Sequence, residues 1–237
     1  MQTVILAAGR GTRMDELTLA MPKPMLPVAG KPLLEYKIEA LPDQFDEVIL
    51  IVRYLKDVIK HHFGESYGGK SIRYVEQHEL NGTAGALWSA KEMLHDRFLV
   101  MMGDDIYIRE DIEQCIAKED VWSLLVQQLP EMHRAGSVKL DSEGRIAEII
   151  ESSAETIDRL EPGIASTNLY VLDARLFSCP LLLKHEGSLE YGLPQTVVNG
   201  ARLLGIHFEP VFTDTWIQIT APKDLLIAAD LLKKFKK

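Results

Sequence analysis

The chain has 237 residues, 46% of them hydrophobic, and a formal charge of −9 from 26 basic and 35 acidic side chains. That is enough to bury one large core or two joined halves. The acidic balance argues against sequence-independent binding to nucleic acid and against adhesion to an anionic membrane.

Strand-like sequence begins at Gln2, so no targeting peptide is expected. No apolar run approaches the roughly 20 residues of a membrane span. Two cysteines, Cys115 and Cys179, fit a reducing cytoplasm, although the sequence leaves a bridge between them open. His61, His62 and the other histidines show no metal-type spacing. The basic run Lys233-Lys234-Phe235-Lys236-Lys237 suits the C-terminus of a helix.

In chain order, Val4-Ile5-Leu6 reads as a short buried strand. It runs into Ala7-Ala8-Gly9-Arg10-Gly11-Thr12-Arg13, small residues followed by a cationic, Gly-rich loop. Consecutive backbone N–H groups in such a loop make a concavity for anions. Arg13 adds a fork of donors matched to phosphate oxygens, and Lys23, between Pro22 and Pro24, adds a point charge on a stiffened backbone. The stretch lacks the G-x-x-x-x-G-K-[ST] of a P-loop, and Met14 breaks a G-x-G-x-x-G fingerprint. It reads as a polyphosphate site.

Val48–Val52 is a continuous apolar run of the kind buried on both faces of a sheet. Tyr54–Phe63 reads as a helix stopped by Gly64, Gly68-Gly69 as a turn, and Ile72–Val75 as a strand. Glu76–Ala84 follows that strand and opens a predicted helix, Thr83–Leu94, with Leu87, Ala90, Met93 and Leu94 on one face. Its local reading is an Asn81-Gly82 turn with Thr83 as helix N-cap. Phe98–Met102 is another buried strand, ending in Gly103-Asp104-Asp105. A carboxylate there suits Mg²⁺, which takes oxygen ligands shared with phosphates. Asp105 reads as a turn or cap residue before a helix Arg109–Lys118. This βα alternation predicts a mostly parallel sheet with helices on both faces. Ligands in such sheets bind outside the carboxyl ends of strands, so the loops after Leu6, Val75 and Met102 are expected to share one cleft.

The second half is richer in strands: Val121–Gln128, then Ser137–Leu140 and Arg145–Ile150 around an Asp141-Ser142-Glu143-Gly144 hairpin signal, then Ile164–Leu172. Asn168 lies inside the last of these, and a buried amide needs partners. A terminal helix is expected from Pro222 to Phe235.

LAAGRGTRM, followed by PKPMLPVAGKPLLEY, resembles the opening of the sugar-phosphate nucleotidylyltransferases. These include glucose-1-phosphate thymidylyl- and uridylyltransferases and the uridylyltransferase half of the N-acetylglucosamine-1-phosphate enzyme. Weaker echoes reach about Leu226 and include Thr215–Leu226, similar to that family's W-x-D-[IV]-G-T-P-x-D-L close. The resemblance implies a Rossmann-like nucleotide half over 1–103, a mixed-sheet sugar-phosphate half over 104–220 and a helix over 221–237, all in a single domain. It implies that Leu6, Ala7, Ala8, Gly9, Gly11, Thr12, Gln77, Gly82 and Thr83 hold a pyrimidine nucleoside triphosphate. Gln77 would read the base edge, and Gly82 would let the backbone come close to the ring. Arg13, Lys23 and Asp104 would be catalytic, with Asp104 on Mg²⁺. Gly136, Glu151 and Asn168 would hold the sugar 1-phosphate. Two positions depart from the pattern and remove a charge. Gln218 stands where many members carry a second metal carboxylate, and Ser152-Ser153 follows Glu151 where thymidylyltransferases have Lys-Pro.

The expected reaction is therefore transfer of a nucleotidyl group from an NTP to a sugar 1-phosphate. Two alternatives stay open: transfer to a phosphorylated alcohol such as choline phosphate, and a regulatory nucleotide-binding module that has lost turnover. No hexapeptide repeat is present, so a fused acetyltransferase is not expected. The sequence leaves open whether the chain forms a homo-oligomer.

Overall fold

Val4-Ile5-Leu6 and Val48–Val52 form the middle of one mixed sheet. A computed structural model describes residues 1–132, 136–151 and 161–235 of the chain. Its strands are β1 Gln2–Leu6, β2 Pro27–Val28, β3 Lys31–Pro32, β4 Glu47–Val52, β5 Ser66–Tyr67, β6 Lys70–Glu76, β7 Arg97–Met102, β8 Asp105–Ile106, β9 Trp122–Leu129, β10 Gly136–Leu140, β11 Ile146–Ile150, β12 Gly163–Asp173, β13 Phe208–Thr213 and β14 Ile217–Gln218. Its α-helices are α1 Leu33–Ala40, α2 Lys56–Phe63, α3 Gly82–Trp88, α4 Arg109–Ile116, α5 Leu193–Leu204 and α6 Pro222–Phe235.

The main sheet runs β11-β10-β12-β7-β1-β4-β6-β5, with β9 on β12 and β13 on β9. Strands β7, β1, β4 and β6 are mutually parallel, and β12 joins β7 antiparallel. The expected change of character after Met102 is thus real, but one sheet continues through it. Alternate residues of the central strands face opposite cores. Val48, Leu50 and Val52 pack with Leu34 and Ile38 of α1, Ile59 and Phe63 of α2, and Ile112 and Cys115 of α4. Ile49 and Ile51 pack with Leu87 of α3 and Leu193 and Val197 of α5. This two-sided burial is why these strands read as unbroken apolar runs. A third cluster joins Met14, Leu26 and Val28 of the opening motif to Ile106, Ile217, Ile219 and Leu232. It brings the C-terminal segment against the phosphate-type loop.

Several boundaries differ from the sequence reading. The first α2 turn begins at Lys56 because Leu55 takes a left-handed φ of 49°. The helix expected over Thr83–Leu94 stops at Trp88 and resumes as a 3₁₀ turn, Lys91–Met93. At the break, the Ser89 hydroxyl donates to the Ala86 carbonyl at 2.6 Å, competing with the helical ladder. Leu87, Ala90 and Leu94 are nevertheless buried together. The hairpin signal is realised: Asp141 Oδ1 accepts from the Glu143 and Arg145 amides, and Gly144 has φ 78°. Cys115 and Cys179 are both buried and free. No helix among the described residues is long and apolar enough to cross a membrane.

Candidate active site

The loops after β1, β6 and β7 line one cleft of about 450 Å³, at the carboxyl ends of the parallel strands. Leu6, Ala7, Ala8, Gly9, Gly11, Thr12, Arg13, Lys23, Gln77, Gly82, Thr83 and Asp104 all border it. Twelve of the residues singled out from sequence are therefore brought together. Arg10 and Leu80, from the same two loops, border it too, as does Glu190, which was not foreseen. Glu190 comes from a segment far along the chain with no motif of its own. Its place follows from pairing: the Tyr191 amide donates to the Asn81 carbonyl at 2.7 Å, and the Ala84 amide donates to the Tyr191 carbonyl at 3.1 Å.

The Gly-rich loop needs one of its two glycines for backbone reasons. Gly11 has φ 64°, and a Cβ there would lie 2.8 Å from Lys23 Cβ, whereas a Cβ at Gly9 would meet nothing. Thr12–Thr18 then coils as a 3₁₀ helix, with Arg13 exposed beside the cleft. Lys23 starts a short 3₁₀ turn and is 5% exposed. Its ammonium donates to Asp104 Oδ2 and to the Ile219 carbonyl, each at 2.5 Å. The Lys23 ammonium and the Asp104 carboxylate thus neutralise each other.

On the facing wall, Gln77 is buried, and its Nε2 donates to Asn81 Oδ1 and the Gly82 carbonyl, each at 3.2 Å. That fixes the amide's orientation and leaves Oε1 as its acceptor. One local reading needs correction. Thr83 does not cap α3: the helix begins at Gly82, and the Thr83 hydroxyl accepts from the Leu193 amide at 3.0 Å. Gly82 has φ 95°, and a Cβ would fall 2.3 Å from the Tyr191 carbonyl oxygen and 2.7 Å from its amide nitrogen. The residue that demands glycine here is therefore Tyr191. Gly82→Ala should destabilise the fold by about 1–3 kcal/mol of strain, read as a lower urea midpoint of unfolding. An unchanged midpoint would mean that the Tyr191 backbone yields.

Asp105 is not a turn or cap residue. It is 4% exposed and lies in β8, paired across to Gln218 of β14. The ammonium of Lys37, itself fully buried, donates to the Asp105 carbonyl. Burial and the neighbouring Asp104 push the Asp105 carboxyl up to about 7, against Lys37 and Lys23. Burial lowers Lys37 to about 8, against Asp105 and Asp104. Gln218 is half-buried and does not border the cleft. Its position opposite Asp105 sets it one residue along from Asp104.

Gly136, Glu151 and Asn168 do not border this cleft, but β10 gathers them: Gly136 pairs with Ser166 and Ser137 with Ile150. Asn168 sits where β12 shifts register against β9, with φ 58°, a conformation asparagine tolerates better than most residues. Its Oδ1 accepts from the Tyr170 hydroxyl at 3.0 Å. Glu151 is not a freely solvated charge: Gln195 Nε2 donates to it at 3.2 Å, and Lys184 Nζ lies 3.7 Å away. A Cβ at Gly136 would make ordinary contacts with Ile149 and Ser166, so the sheet itself does not require glycine there. Ser152 and Ser153 lie outside the described residues. The Lys184 amide donates to the Glu190 carbonyl at 2.8 Å, so one segment reaches both the cleft and Glu151.

A family model described as nucleotidyl transferase matches residues 2–230. The bifunctional protein GlmU of Methanocaldococcus jannaschii is 34% identical over 177 residues, covering 75% of this chain and 41% of that one. The chain spans about half the length of the bifunctional relatives it matches. The D-glycero-α-D-manno-heptose 1-phosphate guanylyltransferase of Campylobacter jejuni is 30% identical, over 94% of this chain and 96% of that one. Among solved structures, a UDP-glucose pyrophosphorylase complexed with UDP-glucose superposes with a TM-score of 0.81 at 18% identity, over 99% of this chain and 98% of that one, a likeness of fold. Matched along nearly its whole length, and with the motif that carries the resemblance lining one cleft, the chain belongs to the sugar-phosphate nucleotidyltransferases.

Proposed function

We propose that this chain transfers a nucleotidyl group from a nucleoside triphosphate to a sugar 1-phosphate, releasing pyrophosphate. One observation carries the reading: the cationic loop, Lys23 and Asp104 share a cleft with the Gln77–Thr83 loop. A phosphate monoester is largely dianionic at pH 7, its second pKa being about 6. It is a competent nucleophile without an activating dyad, so the chain must supply in-line placement and charge neutralisation. In this reading the backbone around Gly11, with Arg13, takes the β- and γ-phosphates. Lys23 leaves Asp104 and meets the charge that builds on pyrophosphate.

Gln77 Oε1 is an acceptor, and the first-turn N–H groups of α3 include donors without intrahelical partners. An acceptor beside a donor complements a ring N–H beside a carbonyl, found in uracil, thymine and guanine and not in cytosine. The guanylyltransferase among the relatives favours keeping guanine beside the pyrimidines. On the sugar side we assign Glu151 and Asn168 to hydroxyls. Lys184 brings a cation to Glu151.

Asp104 and the Gln218 amide fit a hard cation only in part. Among the described residues no group of three or more His, Cys, Asp or Glu side chains could hold a metal. Mg²⁺ would then arrive largely on the triphosphate oxygens, as it often does. When bound, it supplies charge neutralisation on the transferring phosphoryl group. Gln218→Asp should consequently lower the Mg²⁺ concentration for half-maximal activity about tenfold, if the added anion is worth ~1.4 kcal/mol. An unchanged requirement in a Mg²⁺ titration would place Gln218 away from the metal.

The whole reading is tested by pyrophosphate release from UTP, dTTP, GTP, CTP and ATP with Mg²⁺ and a panel of acceptors. Release with sugar 1-phosphates and UTP, dTTP or GTP is expected. Release with choline phosphate alone would move the acceptor class. Nucleotide binding without release would favour a regulatory module.

A further inference from the structure

The chemistry above uses Lys23 and leaves Lys37 without a task. Lys37 sits on α1 with no solvent exposure, among Leu34, Ile38 and other fully buried residues. Burying an ammonium is costly unless its donors are satisfied. Its partner is the main-chain carbonyl of Asp105. That carbonyl belongs to β8, whose two residues pair with the two residues of β14, Asp105 with Gln218 and Ile106 with Ile217. A pair this short has few ladder hydrogen bonds, so its placement depends on what is tied to it. The next residue, Ile219, gives its carbonyl to Lys23 Nζ, and Lys23's other bond is to Asp104 Oδ2. The contacts close a ring: Lys37 to Asp105, across to Gln218, on to Ile219, to Lys23 and back to Asp104.

We infer that Lys37 is a positioning residue for the reaction: by fixing the Asp105 carbonyl it holds β8 against β14 and sets where the Asp104 carboxylate stands. The kinetic part of this inference rests on the proposed nucleotidyl transfer. Lys37 does not line the cleft, and its hydrogen bond is to the backbone carbonyl of Asp105, through which it acts. A lysine kept only for packing would be replaceable by an apolar side chain of similar length without loss of turnover, because buried charges often yield to hydrophobic residues at no cost in stability.

The test uses the Asp105→Asn background, in which replacing Lys37 leaves no unpaired buried carboxylate. Lys37→Met/Asp105→Asn, with Lys37→Leu/Asp105→Asn as a second variant, is compared with Asp105→Asn alone. Thermal unfolding, steady-state kinetics and Mn²⁺ binding by electron paramagnetic resonance are measured. The expected result is a folded protein with an unfolding midpoint near that of Asp105→Asn. Its kcat should be lower by about tenfold or more, the scale of a sub-ångström to ångström misplacement. Its KM for the nucleotide, measured at saturating Mg²⁺, should stay within about threefold, since Lys37 does not line the cleft. Mn²⁺ binding should weaken with the displaced Asp104. Turnover and Mn²⁺ binding equal to Asp105→Asn would overturn the inference. So would failure of both variants to fold, which would make Lys37 a structural residue. If wild type and Asp105→Asn release no pyrophosphate, the proposed reaction fails, and Mn²⁺ binding still decides the role of Lys37.

Discussion

Lys23→Ala should lower kcat by about 10²-fold or more, the usual scale for losing a preorganised electrostatic donor, while weakening nucleotide binding much less. The charge matters most as the bond to pyrophosphate breaks, so its loss belongs to the transition state and not to the ground state. The pairing of Lys23 with Asp104 adds a second expectation of opposite sign. Lys23 is ion-paired to Asp104 at 2.5 Å, and that carboxylate is otherwise about one-third exposed. Removing the lysine frees Asp104, so Mn²⁺ should bind the ligand-free variant more tightly than it binds wild type. Linkage makes the coupling reciprocal: in wild type, metal and triphosphate each release a partner for the other, and the two should bind cooperatively. Titration of Mn²⁺ with and without a non-hydrolysable nucleotide measures both effects. Near-normal turnover in Lys23→Ala would remove Lys23 from the chemistry, whatever the metal does.

The parts of this fold that were legible are those in which local sequence and burial agree. Val48–Val52 reads as a two-sided strand and is one, because helices cover both faces. The cleft was legible because its loops share the carboxyl edge of a parallel sheet. What could not be read has particular causes. Strand β13 contains Pro210, which is tolerated because, among the described residues, β13 pairs with β9 alone and so stands at an edge of the sheet. Helix α5 contains Pro194 and Gly200, residue types that disfavour a helix interior. In the structure Pro194 lies in the first turn, where it has no partner to lose, and Gly200 lets Leu176, Cys179 and Trp122 approach closely. Glu190 reaches the cleft only through hydrogen bonds between Tyr191 and the 81–84 loop, a pairing with no local signature. Lys37 carries no signal of its own in the sequence. Its burial is set by a carbonyl 68 residues further along the chain.

Asp104→Asn should reduce Mg²⁺-dependent turnover by at least about 10²-fold, whereas Asp105→Asn should keep a substantial part of it. The two neighbours differ in surroundings more than in chemistry. Asp104 borders the cleft, its side chain is 35% exposed, and it already holds a cation in the form of Lys23. Asparagine keeps its shape and one acceptor oxygen but loses the charge that a hard cation needs. It also strips Lys23 of its counter-ion. Asp105 is 4% exposed, its side chain meets the Tyr107 hydroxyl at 3.4 Å, and its structural bond to Lys37 runs through the main chain. Burial holds its carboxyl up to about 7, so near neutral pH much of it is protonated, and asparagine approximates that form. Nor does Asp105→Asn remove the carbonyl on which Lys37 and β14 depend. Steady-state rates of both variants across a Mg²⁺ series decide the matter. An inactive Asp105→Asn beside an active Asp104→Asn would reverse the assignment. The metal carboxylate would then be the buried one, and β8 would have to turn over to bring it into the cleft.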